Sequence, residues 1–130
     1  MGEAPRRVQL SRAKGWRMSE NTVKVDRSTG FGNPFPITKC TSTHMGVTKP
    51  IFQIGTWAGP AMWLRDTKAE AQQISVSAYR AWLNQPAQHP LRDRIAMLRG
   101  KNLACWCRLD APCHADVLLE LANRPENPHD

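Results

Sequence analysis

No stretch of this chain stays apolar for anything like the roughly 20 residues that a membrane-spanning helix requires, and its start lacks the apolar core of a secretory leader. The expectation is a cytoplasmic protein with no membrane partner. Acidic residues are scarce as well: 11 Asp and Glu stand against 18 Lys and Arg, a net charge of +7. That balance excludes an acidic, solvating tail and favours an anionic partner. No internal repeat or low-complexity segment is visible, so solenoid and fibrous architectures drop out. Cysteines number only four and include no C-x2-C pair, so neither a dense disulfide framework nor a common zinc knuckle is indicated.

What is present suffices for one core of ordinary size. A chain of 130 residues with 41% apolar content reads as a single α/β domain spanning 1–130, with frayed ends at 1–5 and 124–130. The charge is unevenly placed: residues 1–30 carry seven Lys and Arg against three Asp and Glu, a local excess of +4. An anionic partner should meet this end, unless the charge only keeps the surface soluble.

Arg7 to Leu10 and Asn21 to Asp26 alternate and are rich in β-branched residues, which reads as two strands in an N-terminal β region. Between them lies a basic loop containing Arg12, Lys14, Trp16 and Arg17. The second strand leads into a rigid turn through Gly30, Gly32, Asn33, Pro34 and Pro36. Residues 37–60 read as an insertion or hairpin, and 61–65 as a further strand. Thr67 with Glu70 marks a helix start, and Ala71, Ile74, Ala78, Tyr79 and Trp82 share one face up to Leu83. A second helix is expected over 90–99, closed by Gly100, and an almost uninterrupted apolar strand over 102–106. A last helix over 113–122 turns Val117, Leu118 and Leu121 inward. This C-terminal helix–strand–helix order argues for a small sheet with Rossmann-like layering.

The chemistry concentrates at the end of the apolar strand, where Cys105, Cys107, Cys113 and His114 fall within ten residues. Ligands of open α/β sheets bind at such strand ends, and the start of the next helix favours anions. Three readings compete. In the first, a nucleotide or nucleoside-derived ligand is held by Lys101, Cys107, Arg108 and the helix start, and the turn contributes Arg27, Ser28, Gly32 and Asn33. In the second, Cys113 is a nucleophile with His114 as base, and Asp26 serves as a base or accepts ribose hydroxyls. In the third, Cys105, Cys107, Cys113 and His114 bind zinc, although adjacent Cys and His rarely converge on one ion. No cofactor is therefore expected, with zinc as the alternative. Cys105 and Cys107 lie two apart on a strand, too far for an unstrained disulfide, and Cys105 and Trp106 read as core. A separate reading makes the N-terminal loop a nucleic-acid or acidic-protein contact, in which Arg6, Arg7, Arg12, Lys14 and Arg17 surround Trp16.

Val8 to Met18, Val25 to Thr29, Gly32 to Phe35, Ala78 to Leu83 and Leu98 to Asn123 together resemble a family of small bacterial and bacteriophage proteins, domain of unknown function 4326. Segment 37–60 departs from that pattern. The resemblance implies a bacterial or phage setting (host cytoplasm, if phage-encoded) and a site shared by the glycine turn and the cysteine junction. It implies no activity.

Overall fold

The computed structural model describes residues 4–124. In chain order it runs β1 (Arg7–Gln9), β2 (Thr22–Lys24), β3 (Ile37–His44), β4 (Val47–Gly55), β5 (Met62–Arg65), α1 (Lys68–Leu83), α2 (His89–Ala96), β6 (Asn102–Cys105) and α3 (His114–Asn123), with a 3-10 turn at Pro86–Gln88 before α2. Residues 1–3 and 125–130, where most of the expected fraying falls, lie outside the described residues. No described helix is long and apolar enough to cross a membrane.

Three short strands form one parallel sheet in the order β1-β6-β2. Its middle strand is the apolar run: Leu103, Ala104 and Cys105 are buried, as expected of a strand covered on both faces. Burying a side chain such as Leu103 contributes about 1.5–3 kcal/mol. The sheet is small, and no helix links β1 to β2. Rossmann-like layering therefore does not follow from this order, and the N-terminal β region holds in part: β1 and β2 are both strands, but each pairs with β6.

The other sheet is an antiparallel meander, β3-β4-β5. Its first turn is the two-residue Met45-Gly46, both at positive φ (51° and 79°), the twist that a two-residue hairpin favours. β5 joins this sheet and takes no part in the parallel one.

Helix α1 serves both sheets. Thr67 caps it by accepting from the Glu70 N–H at 3.2 Å. Its buried line is Ala71, Ser75, Tyr79 and Leu83, a strict four-residue spacing; Ile74, Ala78 and Trp82, expected on the inward face, are only partly buried. Tyr79 and Leu83 pack with Val25, Ile95, Leu103, Val117 and Leu118 in the main core, whereas Ala71 packs with Phe35 and Ile54 in the second. The buried Tyr79 hydroxyl donates to the Phe31 carbonyl at 2.8 Å, tying α1 to the glycine turn. α2 is shorter than expected: it ends at Ala96 with Met97 as its C-cap, so Gly100, at φ 79°, lies beyond the helix and does not supply its stop.

Candidate functional site

Parallel pairing carries the chain ends of β2 and β6 to the same edge of the sheet. The Val25 N–H donates to the Ala104 carbonyl at 2.8 Å, which continues the ladder and sets Asp26 beside Trp106. Here a cavity of about 510 Å³ opens between the sheet edge, the glycine turn, the first half of α1 and the start of α3. Its walls include Asp26, Arg27, Asn33, Trp106, Cys107, Cys113 and His114, with Phe35, Gln72 and Ser75 from the side of α1 and the turn.

Asp26 is buried and fully engaged. Its Oδ1 accepts from the Ser28 N–H (3.1 Å) and hydroxyl (2.5 Å), and its Oδ2 accepts from Trp106 Nε1–H at 2.8 Å, with Lys24 Nζ 3.7 Å away. Burial pushes the carboxyl pKa upward, but the donations from Ser28 and Trp106, aided by Lys24, outweigh it and hold the group below its usual value. An ionised carboxylate that accepts three hydrogen bonds is an anchor more than a base. Trp106 is not core: it is 40% exposed, and the Arg12 guanidinium lies 4.4 Å from its ring centroid.

The turn is built on itself. Thr29 donates its N–H and hydroxyl to the Asp26 carbonyl, and a Cβ at Gly32 would lie 2.8 Å from the Arg27 Cα. Glycine is required there because the turn folds back on its own backbone. Asn33 is committed to structure: its Oδ1 accepts from the Phe35 N–H at 2.9 Å, and its Nδ2 donates to Ser75 Oγ at 2.9 Å. Ser75 in turn donates to the Phe35 carbonyl at 2.7 Å. Arg27 differs from all of these, forming no ion pair among the described residues while its side chain borders the cavity.

Cys105 closes β6, Cys107 leaves the strand, and Cys113 caps α3, so the three thiols converge from three different segments. Their sulfur atoms all lie within 4.8 Å of one another, and Cys105 Sγ is 2.9 Å from Cys113 Sγ, with no disulfide formed. The cluster has the ligand type and closeness to hold a metal ion. Contact with Cys105 and Cys113, with Arg7 adding its charge, pulls the Cys107 thiol down to about 3, against an upward push from burial. The reverse holds for Cys105, which its two sulfur neighbours and burial push far up.

His114 is buried, edge-on to Tyr79, with Nε2 2.6 Å from the Val25 carbonyl and Nδ1 3.6 Å from Cys113 Sγ. A carbonyl only accepts, so Nε2 carries the proton and Nδ1 faces the sulfur. Burial pushes the imidazole pKa down, but Cys113 and the Val25 carbonyl more than reverse this and raise it. The mutually close group consists of the three sulfur atoms alone, since neither ring nitrogen of His114 lies within 4.8 Å of all of them.

The start of α3 is not the open anion site expected of it. Asp116 closes it with a capping box, its Oδ2 accepting from the Cys113 N–H at 3.2 Å while Cys113 Sγ accepts from the Asp116 N–H. Arg7 holds Asp116 in place: its guanidinium lies 3.2 Å from that oxygen and donates to the carbonyls of Arg108 and Leu109 at 3.0 and 2.7 Å. A side chain from β1 thus clamps the loop between Cys107 and Cys113.

Of the residues singled out from sequence, Asp26, Arg27, Asn33, Cys107, Cys113 and His114 line one cavity. Ser28 and Gly32 shape it from behind. Lys101 does not belong to it, since it precedes β6 and the cavity lies at the other end of that strand. Arg108 is turned outward and pairs with Asp110 at 3.0 Å. Lys14, Trp16 and Arg17 sit in the exposed loop before β2, where only Arg12 reaches the site, through Trp106. The sequence did not point to Ser75 or Gln72, and it set Arg7 among the basic contacts around Trp16, whereas the Arg7 side chain is buried against Asp116 and the Arg108 and Leu109 carbonyls. The four-residue spacing of Ser75 with Ala71 and Tyr79 was a usable signal; the reach of Arg7 across more than a hundred residues was not.

No curated protein and no solved structure matches the chain. A family model, described as domain of unknown function (DUF4326), matches residues 8–124 and takes in every wall of the cavity and both of its sheets. With nearly its whole length matched, the chain belongs to the DUF4326 family.

Proposed function

We propose that the cavity binds an anionic small molecule derived from a nucleotide or nucleoside. The observation that carries this reading is Arg27, a cation without an ion pair among the described residues, at the rim of a cavity of about 510 Å³. That size is in the range of small-molecule sites, roughly 300–1,000 Å³. Arg27 offers a fork to a phosphate or carboxylate. Trp106 and Phe35 supply aromatic wall for a base, and Gln72 supplies an amide that can read a polar edge. Asp116 occupies the helix start, so the charge of the ligand is met by the guanidinium in place of backbone N–H groups.

The test is titration of the full chain with nucleosides and with nucleoside mono- and diphosphates, followed by calorimetry or by shifts of the Trp106 indole resonance. Phosphorylated forms should bind, and Arg27→Ala should weaken them about 10- to 100-fold, the worth of one charge-assisted hydrogen-bond partner. Equal affinity in the Arg27→Ala protein, still folded, would sink the reading.

A second reading draws on the Arg12 guanidinium over Trp106, which joins the basic loop to the cavity rim. In it a nucleic-acid strand lies along the loop and places one base at Trp106. Such binding would weaken steeply with salt, whereas a buried small ligand would be less affected.

A further inference from the structure

We propose that Cys105, Cys107 and Cys113 hold a single zinc ion through three thiolates, and that its fourth coordination position opens into the cavity. Three observations carry this, and none depends on the ligand reading above.

The first is distance. Thiolates bind zinc at about 2.3 Å, so two of them on a tetrahedral ion stand about 3.8 Å apart. The three sulfur atoms here lie within 4.8 Å of one another, with the closest pair at 2.9 Å. That pair is well beyond the roughly 2.05 Å of a disulfide, and all four cysteines of the chain are free. Small movements of side chains bring the cluster to the spacing that an ion would set.

The second is origin. The end of β6, the loop after it and the cap of α3 each supply one thiol. Hydrophobic packing explains a buried cysteine in a core, and both Cys105 and Cys113 belong to the main core. It does not explain a third, half-buried thiol turned back onto them by a loop that Arg7 fastens from β1.

The third is access. All three cysteines form part of the cavity wall, and no fourth His, Cys, Asp or Glu joins them among the described residues. His114 is nearby, with Nε2 on the Val25 carbonyl and Nδ1 3.6 Å from Cys113 Sγ, but neither ring nitrogen falls within 4.8 Å of all three sulfur atoms. Structural zinc sites are closed by four protein ligands. Sites with three protein ligands keep one place for water or a substrate atom. The chemistry implied is that of a water or an anionic oxygen donor bound next to whatever fills the cavity.

The experiment uses the full chain, purified in reductant, stripped of metal and titrated with Co2+. One Co2+ per chain with a thiolate-to-cobalt charge-transfer band, displaced by one equivalent of Zn2+, is the expected result. Azide added to the cobalt form should shift the visible d–d bands if the fourth position is open. Cys107→Ser should weaken zinc at least 100-fold, while Cys40→Ser, which alters the cysteine on β3, should leave it unchanged. Absence of the charge-transfer band, or a Cys105–Cys113 disulfide in the fresh protein in place of metal, overturns the site. Visible bands that ignore azide overturn its openness. These results come from the wild-type chain and stand even if Cys107→Ser fails to fold. Arg27→Ala separates the two readings, because it should remove nucleotide binding without moving the cobalt titration.

Discussion

Trp106 Nε1–H donates to Asp26 Oδ2 at 2.8 Å, joining two loops that lie 80 residues apart in the chain. This bond fixes the indole at the rim of the cavity, and Ser28 holds the other carboxylate oxygen. Removing the carboxylate takes away the shared acceptor of the Ser28 N–H, the Ser28 hydroxyl and the Trp106 N–H in a part-buried position. Asp26→Ala should therefore destabilise the fold by about 1–3 kcal/mol, read from urea midpoints at neutral pH. Trp106→Phe keeps the ring but drops the N–H and should cost about half as much or less. Equal stability of Asp26→Ala and wild type would mean that the bond does not form in solution.

The same carboxylate gives the fold a definite pH dependence. Its pKa is lower in the folded state than the 3.8 of an ordinary aspartate, so the unfolded chain takes up this proton first as pH falls. Its stabilising contribution is fully present above the ordinary value and is lost as pH drops through the depressed folded one. Stability measured from pH 6 down to pH 2 should fall less steeply in Asp26→Asn than in wild type. Parallel curves would refute the shift.

Arg7 is the second joint of the site, and its side chain is 8% exposed although it is an arginine. It meets one carboxylate and two carbonyls, a three-way geometry that a lysine cannot reproduce. Arg7→Lys should lose about 1–3 kcal/mol in thermal or urea unfolding, and hydrogen exchange should speed up between 107 and 112. An effect confined to β1, with the loop unchanged, would show that the clamp is incidental.

How far the sequence foretold this site depends on the kind of interaction. Thr67 and Glu70 act within one turn, and such a local signal was legible, whereas Gly100 lies past the end of α2 at Ala96. The burial of 103–105 was legible because both faces of the strand are apolar. The β3–β4 strands were obscure because most of their residues face solvent, which leaves little hydrophobic alternation to read. Trp106 was misplaced because its apolar area was read as burial, whereas its N–H reaches the Asp26 carboxylate and its ring meets the Arg12 guanidinium at the cavity rim. The convergence of the thiols was legible only as one of three readings, because strand alternation was extended to Cys107, whereas the strand ends at Cys105.

Gly32 tests whether the cavity depends on the shape of its turn. A methyl group at this position would meet the Arg27 backbone at 2.8 Å, and a backbone contact cannot relieve the clash by rotating away. Forcing a methyl group into such a contact costs about 1–3 kcal/mol. The strain falls on Arg27, so the turn should relax by moving that residue away from the cavity. Gly32→Ala should therefore weaken phosphorylated ligands about tenfold while leaving the three cysteines, which belong to other segments, able to bind Co2+ as before. If nucleotide affinity and unfolding midpoint both match wild type, the close approach at Gly32 is not a feature of the folded protein. If cobalt binding falls along with nucleotide affinity, the turn and the cysteine cluster form one cooperative unit, and the assignment of separate roles to Arg27 and the thiols is wrong.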